Sequence, residues 1–160
     1  MKILLTGGAG YIGSHTSLAL LDAGHKVTII DNLSTGNKKL IPSNASFINC
    51  NINDVERISN LLNKQKFDAL FHFAGYIQVE ESTKFPEKYF NNNTENSKIL
   101  LDNCIKHNLT NIVFSSTAAA YGNPIDNKPI SEDSLLKPLN PYGESKIKKE
   151  LYLKNNSKLK

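Results

Sequence analysis

Cysteine is scarce in this chain of 160 residues: Cys50 and Cys104 stand far apart in apolar stretches, neither with a second cysteine two or three residues away. No paired-cysteine motif is present, and both read as reduced core thiols. The four histidines, His15, His25, His72 and His107, lack metal-ligand spacing, so no metal is implied and each reads as a surface or packed side chain. Long apolar runs are missing as well. The opening MKILLTGG carries about four apolar residues in a row, too few for a signal-peptide core or a membrane span, so the expected location is cytoplasmic with no membrane partner. Nineteen basic against fifteen acidic side chains give a formal charge of +4, with several of the lysines in the last fifteen residues. Without aromatics interleaved on a basic face, that cluster reads as a solvated tail, and no nucleic-acid partner is expected. Repeats and low-complexity tracts are absent.

With 39% hydrophobic residues, a chain of this length fits one soluble domain with a real core. KILLT (2–6) ends in glycines, and residues 14–24 carry Leu18 and Leu21 at helical spacing before Gly24. This predicts strand, turn, helix. KVTIID (26–31) is a second strand, apolar enough for burial on both faces. SFINC (46–50), DALFHFAG (68–75) and NIVFSS (111–116) are the next strands, with an amphipathic helix over 54–65 and a long helix from about Pro86 to His107. From Gly122 to Pro141 the chain holds four of its six prolines, an irregular excursion before a last helix with Tyr142 and Lys146. Strands alternating with helices predict a Rossmann-type doubly wound parallel sheet, whose chemistry belongs at the carboxyl ends of the strands.

After strand one, TGGAGYIGS places Gly7, Gly10 and Gly13 in a G-x-x-G-x-x-G pattern opening a helix. Such glycines allow positive φ and close backbone approach to a pyrophosphate, and the helix N-terminus offers free N–H groups. A tight structural turn needs glycine too. Asp31, eighteen residues after Gly13, ends strand two, where an acid accepts from both ribose hydroxyls and repels a 2′-phosphate. NAD is therefore favoured over NADP, with a cap for the DNLSTG turn as the plain alternative.

Tyr142 and Lys146 lie one helical turn apart, so an ammonium beside the phenol favours phenolate and makes the tyrosine a usable base. The hydroxyls of residues 115–117, SST, can hold a substrate alcohol or keto oxygen meanwhile. The bland alternative is a serine-rich turn and a surface pair.

TGGAGYIGS, DNLSTG, HFAG, FSSTAAAYG and PYGESK, in this order and spacing, resemble the extended short-chain dehydrogenase/reductases, and within them the nucleotide-sugar 4-epimerases, over essentially the whole chain. The resemblance implies a pyrophosphate loop of Gly7, Gly10, Tyr11, Ile12 and Gly13, and a ribose site at Asp31 and Asn32. It implies an adenine site at Asn51 and Ile52, and a wall of Phe73, Ala74 and Gly75 beside the cofactor. Asn93 matches the family asparagine near the nicotinamide half, Thr117 the catalytic Ser/Thr, Tyr142 the acid/base, and Lys146 the lysine that holds the nicotinamide ribose. The implied activity is NAD-dependent epimerisation at C4 of a UDP-hexose, UDP-glucose or UDP-galactose by default. In it, Tyr142 takes the 4-hydroxyl proton while hydride passes to NAD and returns to the other face of a 4-keto sugar.

Related 4,6-dehydratases usually place Asp-Glu directly after the catalytic threonine, where this chain has Ala118 and Ala119, so epimerisation is favoured. Uronic-acid epimerases and decarboxylases are distinguished by residues further along. Three departures stand out: Asn51 replaces the aspartate that meets the adenine amine, Ile77 replaces a lysine of several epimerases, and Glu95-Asn96 replaces Asn-Gly. Family members also continue through further strands and a C-terminal domain that binds UDP and the sugar. The expectation is thus an incomplete NAD-binding domain over 1–160 with an open strand edge, and possible dimerisation through the helices holding Asn93 and Tyr142. The favoured expectation is a shortened epimerase whose motifs are intact but whose turnover is impaired or absent, with a small non-catalytic NAD-binding module and one half of a split enzyme as alternatives.

Overall fold

Each of the five apolar runs becomes a strand in the computed structural model, which describes residues 1–124 and 128–159. The strands are β1 (Lys2–Thr6), β2 (Lys26–Asp31), β3 (Ser46–Asn49), β4 (Ala69–His72) and β5 (Ile112–Phe114). All pair in parallel, in the order β3-β2-β1-β4-β5. Register sets their carboxyl ends level: Thr6 lies opposite Ile30 and His72, Asp31 opposite Asn49, and His72 opposite Phe114. The chain leaves β1 toward β2 and later returns to its other side with β4, which makes the β1/β4 crevice the topological switch point.

Side chains alternate across the sheet and build two cores. Leu4, Ile30 and Leu70 pack on one face against α2 (Val55–Lys64) and α5 (Asn96–Lys106), through Ile58, Leu62, Leu100, Leu101 and Cys104. Leu5, Val27 and Ile29 pack on the other with Leu20 and Leu21 of α1 (Tyr11–Asp22). Helices on both faces give the expected doubly wound architecture. Cys50 and Cys104 are both buried.

Three differences from the sequence reading bear on the site. The first helix begins at Tyr11, directly at the glycine loop. The fourth strand ends at His72, so Phe73, Ala74 and Gly75 leave the ladder. The long helix does start at Pro86, but it runs as α4 (Pro86–Tyr89), a π turn (Phe90–Glu95) and α5, and it is preceded by a short helix without a sequence expectation, α3 (Val79–Lys84), which Phe85 and Pro86 end. A 3-10 turn at Ala118–Ala120 opens the proline-rich excursion, of which residues 125–127 lie outside the described residues. The last helix, α6 (Pro141–Asn155), starts with proline in its first turn and Asn140 accepting from Gly143 N at 2.8 Å. The lysine cluster read as a solvated tail is solvated only in part: Lys148, Lys154 and Lys158 are exposed, but Lys149, like the site candidate Lys146, is buried, because α6 lays that face over the ends of β4 and β5.

Candidate functional site

A cavity of about 700 Å³ opens at the carboxyl ends of the strands, and the glycine loop forms its floor. Gly7 has φ of +77°, and a Cβ there would lie 2.6 Å from Ala74 N. A Cβ on Gly13 would lie 2.1 Å from Gly7 O. Both positions therefore exclude side chains, and the loop stays low enough to admit a ligand backbone. Tyr11 and Ile12, at the first turn of α1, line the cavity and are exposed. Their helix N-terminus has no side-chain cap, which leaves N–H groups for an anion.

Asp31 lies on the adjoining wall, nearly buried. Its carboxylate accepts from Ala9 N at 2.9 Å and Leu33 N at 2.8 Å, so it does cap the turn. A carboxylate offers about four acceptor sites, and two are left for ribose hydroxyls. Asn32 and Asn51 both line the cavity but bond each other, Asn32 Nδ2 donating to Asn51 Oδ1 at 2.7 Å. The amide oxygen expected to meet an adenine amine is thus shared already, with one lone pair remaining. Ile52 completes this end.

Phe73, Ala74 and Gly75 form the opposite wall, held by Phe73 N donating to Thr6 O at 3.1 Å. Asn93 does not join them on the cavity surface. It is fully buried, accepts from Tyr76 N at 2.8 Å and donates to Tyr76 O at 2.9 Å, clamping the segment after Gly75. Its neighbour Asn92 lines the cavity instead and donates to Asn93 Oδ1 at 3.0 Å. The π turn that carries both, a feature frequent at functional sites, sets which of the two faces inward.

Tyr142 and Lys146 line the cavity together. Lys146 Nζ donates to Ser115 O at 2.9 Å and lies 5.8 Å from the Tyr142 ring centroid, and burial lowers its pKa to about 8. The tyrosine itself is anchored by its backbone N–H on Ser82 Oγ at 3.2 Å and by an edge contact with the Tyr89 ring. Of residues 115–117, Ser115 and Ser116 line the cavity, while Thr117 Oγ1 accepts from Ala119 N at 3.2 Å and caps the 3-10 turn. Ser116 donates its hydroxyl proton to Glu150.

Sequence reading missed the outer wall. Glu81 and Lys88 line the cavity as an ion pair at 2.6 Å, with Tyr89 OH donating to Glu81 at 2.8 Å and the Lys88 ammonium 4.6 Å from the Tyr76 ring centroid. The pair bridges two short helices across Pro86, a spacing with no helical signature.

This arrangement of glycine loop, acid, tyrosine and lysine around one cavity accords with the comparisons. A family model described as the NAD dependent epimerase/dehydratase family matches residues 3–159. The chain belongs to that family. It is 44% identical over 154 residues to a UDP-glucose 4-epimerase of Azospirillum brasilense, a match covering 96% of this chain and 44% of the relative. Among solved structures, the UDP-Glc/GlcNAc 4-epimerase of Campylobacter jejuni superposes with a TM-score of 0.93 at 41% identity, covering 99% of this chain and 51% of that one. The UDP-glucose 4-epimerase of Brucella ovis in complex with NAD gives 0.92 at 38% identity, over 96% and 47%. The chain spans about half the length of the relatives it matches.

Proposed function

We propose that residues 1–160 form the NAD-binding domain of a UDP-hexose 4-epimerase. The observation that carries this reading is the meeting of Asp31, the Gly7–Gly13 cradle, Tyr142 and Lys146 in one cavity. The residues fit a dinucleotide: the loop is wound too tightly for Cβ atoms at Gly7 and Gly13, a Cβ at Gly10 would meet only Gly7 O at 3.3 Å, and Asp31 keeps acceptors free at the ribose end. Asn51 and Ile52 would hold the adenine. Phe73, Ala74 and Gly75 would flank the nicotinamide half, with Asn93 supporting that wall through Tyr76.

When bound, NAD supplies an acceptor for the C4 hydride and returns it. Tyr142 takes the proton of the 4-hydroxyl and later gives it back, with Thr117 or a neighbouring serine holding the same oxygen. Lys146 keeps two donors beyond its bond to Ser115, enough to reach a ribose, and its ammonium lies 5.8 Å from the Tyr142 ring centroid. Ala118 and Ala119 offer no proton carriers beside Thr117, which favours epimerisation over elimination of water. The relatives' names support a UDP-sugar as substrate, with glucose, N-acetylglucosamine or another sugar as the variable part. A cytoplasmic setting and a homodimer through α6 and the helical segment around Asn93 belong to the same proposal.

NAD titration of the chain by calorimetry, with Asp31→Ala alongside, tests the cofactor reading. Saturable binding that the variant loses supports it, and no binding by a folded, monodisperse chain overturns it. Interconversion of UDP-glucose and UDP-galactose, assayed with the chain alone, separates a working epimerase from a module that binds NAD without turnover.

A further inference from the structure

Behind the cavity-facing Lys146 lies a second amine with no part in the site described above. Lys149 is one turn further along α6 and fully buried. Its Nζ is 3.2 Å from His72 Nε2 and 4.6 Å from the centroid of the Phe114 ring, against which Lys146 Nζ also lies, at 5.2 Å. His72 is a hub: Nδ1 meets Thr6 Oγ1 at 2.6 Å, and Nε2 meets Ser97 Oγ at 2.9 Å. Thr6 Oγ1 in turn accepts from Ala74 N at 3.4 Å. A single amine thus links α6 to the ends of β1 and β4, directly beneath Gly7 and Ala74.

The surroundings give this amine no counter-charge. His72 faces it from β4, Phe114 from β5 and the Ser97 hydroxyl from α5 by way of His72; on its own helix stand Lys146 and Glu150. Glu150 is bound by Ser116. On the elements packed against α6, Glu81 is engaged by Lys88 and Glu95 by Lys98. No ion pair found among the described residues includes Lys149. An ammonium out of water, unpaired and near Lys146, is strongly disfavoured. Burial, and then the Lys146 charge, push the Lys149 pKa well below the ordinary lysine value; burial and the two lysines push His72 down likewise. Lys146 has a carbonyl partner and the cavity beside it, so it holds a proton more readily than Lys149 does.

We propose that Lys149 is a positioning residue for Lys146: an uncharged amine, docked on His72, that fixes α6 over the ends of β1 and β4 and leaves Lys146 to carry the charge at the cavity. This rests on the reading of Lys146 as a site residue, but it is testable on the chain alone, without NAD.

The test is a lysine-selective NMR titration of the chain, with Lys146→Met and Lys149→Met providing the assignments. In the unsubstituted chain the Lys149 amine is expected to be uncharged at pH 7.5. In Lys149→Met the Lys146 midpoint is expected to rise by roughly one pH unit, tenfold in proton affinity, since α6 loses its tie to His72 and the buried Lys146 amine gains contact with water. The melting temperature should hold or rise, because an apolar side chain of similar length replaces an unpaired buried lysine. A charged Lys149 at pH 7.5, or an unmoved Lys146 midpoint in the folded variant, overturns the proposal. A purely structural spacer predicts a lower melting temperature with the midpoint unmoved. Should Lys149→Met not fold, the charge state of Lys149 in the unsubstituted chain decides alone. NAD calorimetry on the same samples reports separately on the cofactor reading.

Discussion

Gly13 packs so closely on the Gly7 carbonyl that a methyl group on Gly13 would lie 2.1 Å from the Gly7 oxygen. Gly13→Ala therefore has to move backbone, since neither atom sits on a flexible side chain. The expected loss is about 1–3 kcal/mol of stability by urea denaturation, the scale of overpacking, together with lost NAD binding. Gly24→Ala is the contrast: it has open space but φ of +80°, so it should lose roughly 1 kcal/mol and keep its ligand affinity. Equal losses in both variants would count against the close approach.

Lys146 makes stability depend on pH in a defined direction. Burial holds its pKa at about 8, against 10.5 for a free lysine, so between those values the unfolded chain binds more protons than the native one. Stability should rise with pH across that window, by up to about 3 kcal/mol. Below pH 8 the full cost of burying the charge remains, and above 10.5 it is gone. Denaturation curves collected from pH 7 to 11 should show the rise, and Lys146→Met should lessen it between pH 8 and 10.5, leaving the part that Lys149 contributes.

The adjacent asparagines separate two roles. Asn93→Ala strands the part-buried N–H and C=O of Tyr76, and it should lose about 1–3 kcal/mol of stability as the wall after Gly75 loosens. Asn92→Ala, on the cavity surface, should change stability by less and act mainly on affinity for NAD. Thermal unfolding beside calorimetry would expose a reversal of that order.

Asp31→Ala removes an acceptor from two backbone N–H groups as well as from any ribose. Its expected signature is double: about 1–3 kcal/mol of lost stability, and NAD affinity reduced at least about tenfold at a temperature where the variant remains folded. Retained affinity would make Asp31 a turn cap only.

Local signals carried much of this molecule. The period-two and period-3.6 patterns, the glycine spacing after residue 6 and the proline at 141 determined five parallel strands, the loop under the cavity and the helix that bears Tyr142 and Lys146, because each depends on backbone freedom or on neighbours within a few residues. Packing decided the rest. The π turn rotates Asn92 inward and Asn93 into the protein, an offset that no helical period encodes. Lys149 reads as part of a basic tail, yet it is buried beside Lys146 where α6 crosses the ends of β4 and β5. Asp31 and Asn51 carry the residue types expected of a nucleotide site, while their partners, Ala9, Leu33 and Asn32, follow from how the loops fold over one another. Sequence specifies a side chain's chemistry, but its charge, freedom and direction depend on what the remainder of the chain packs against it.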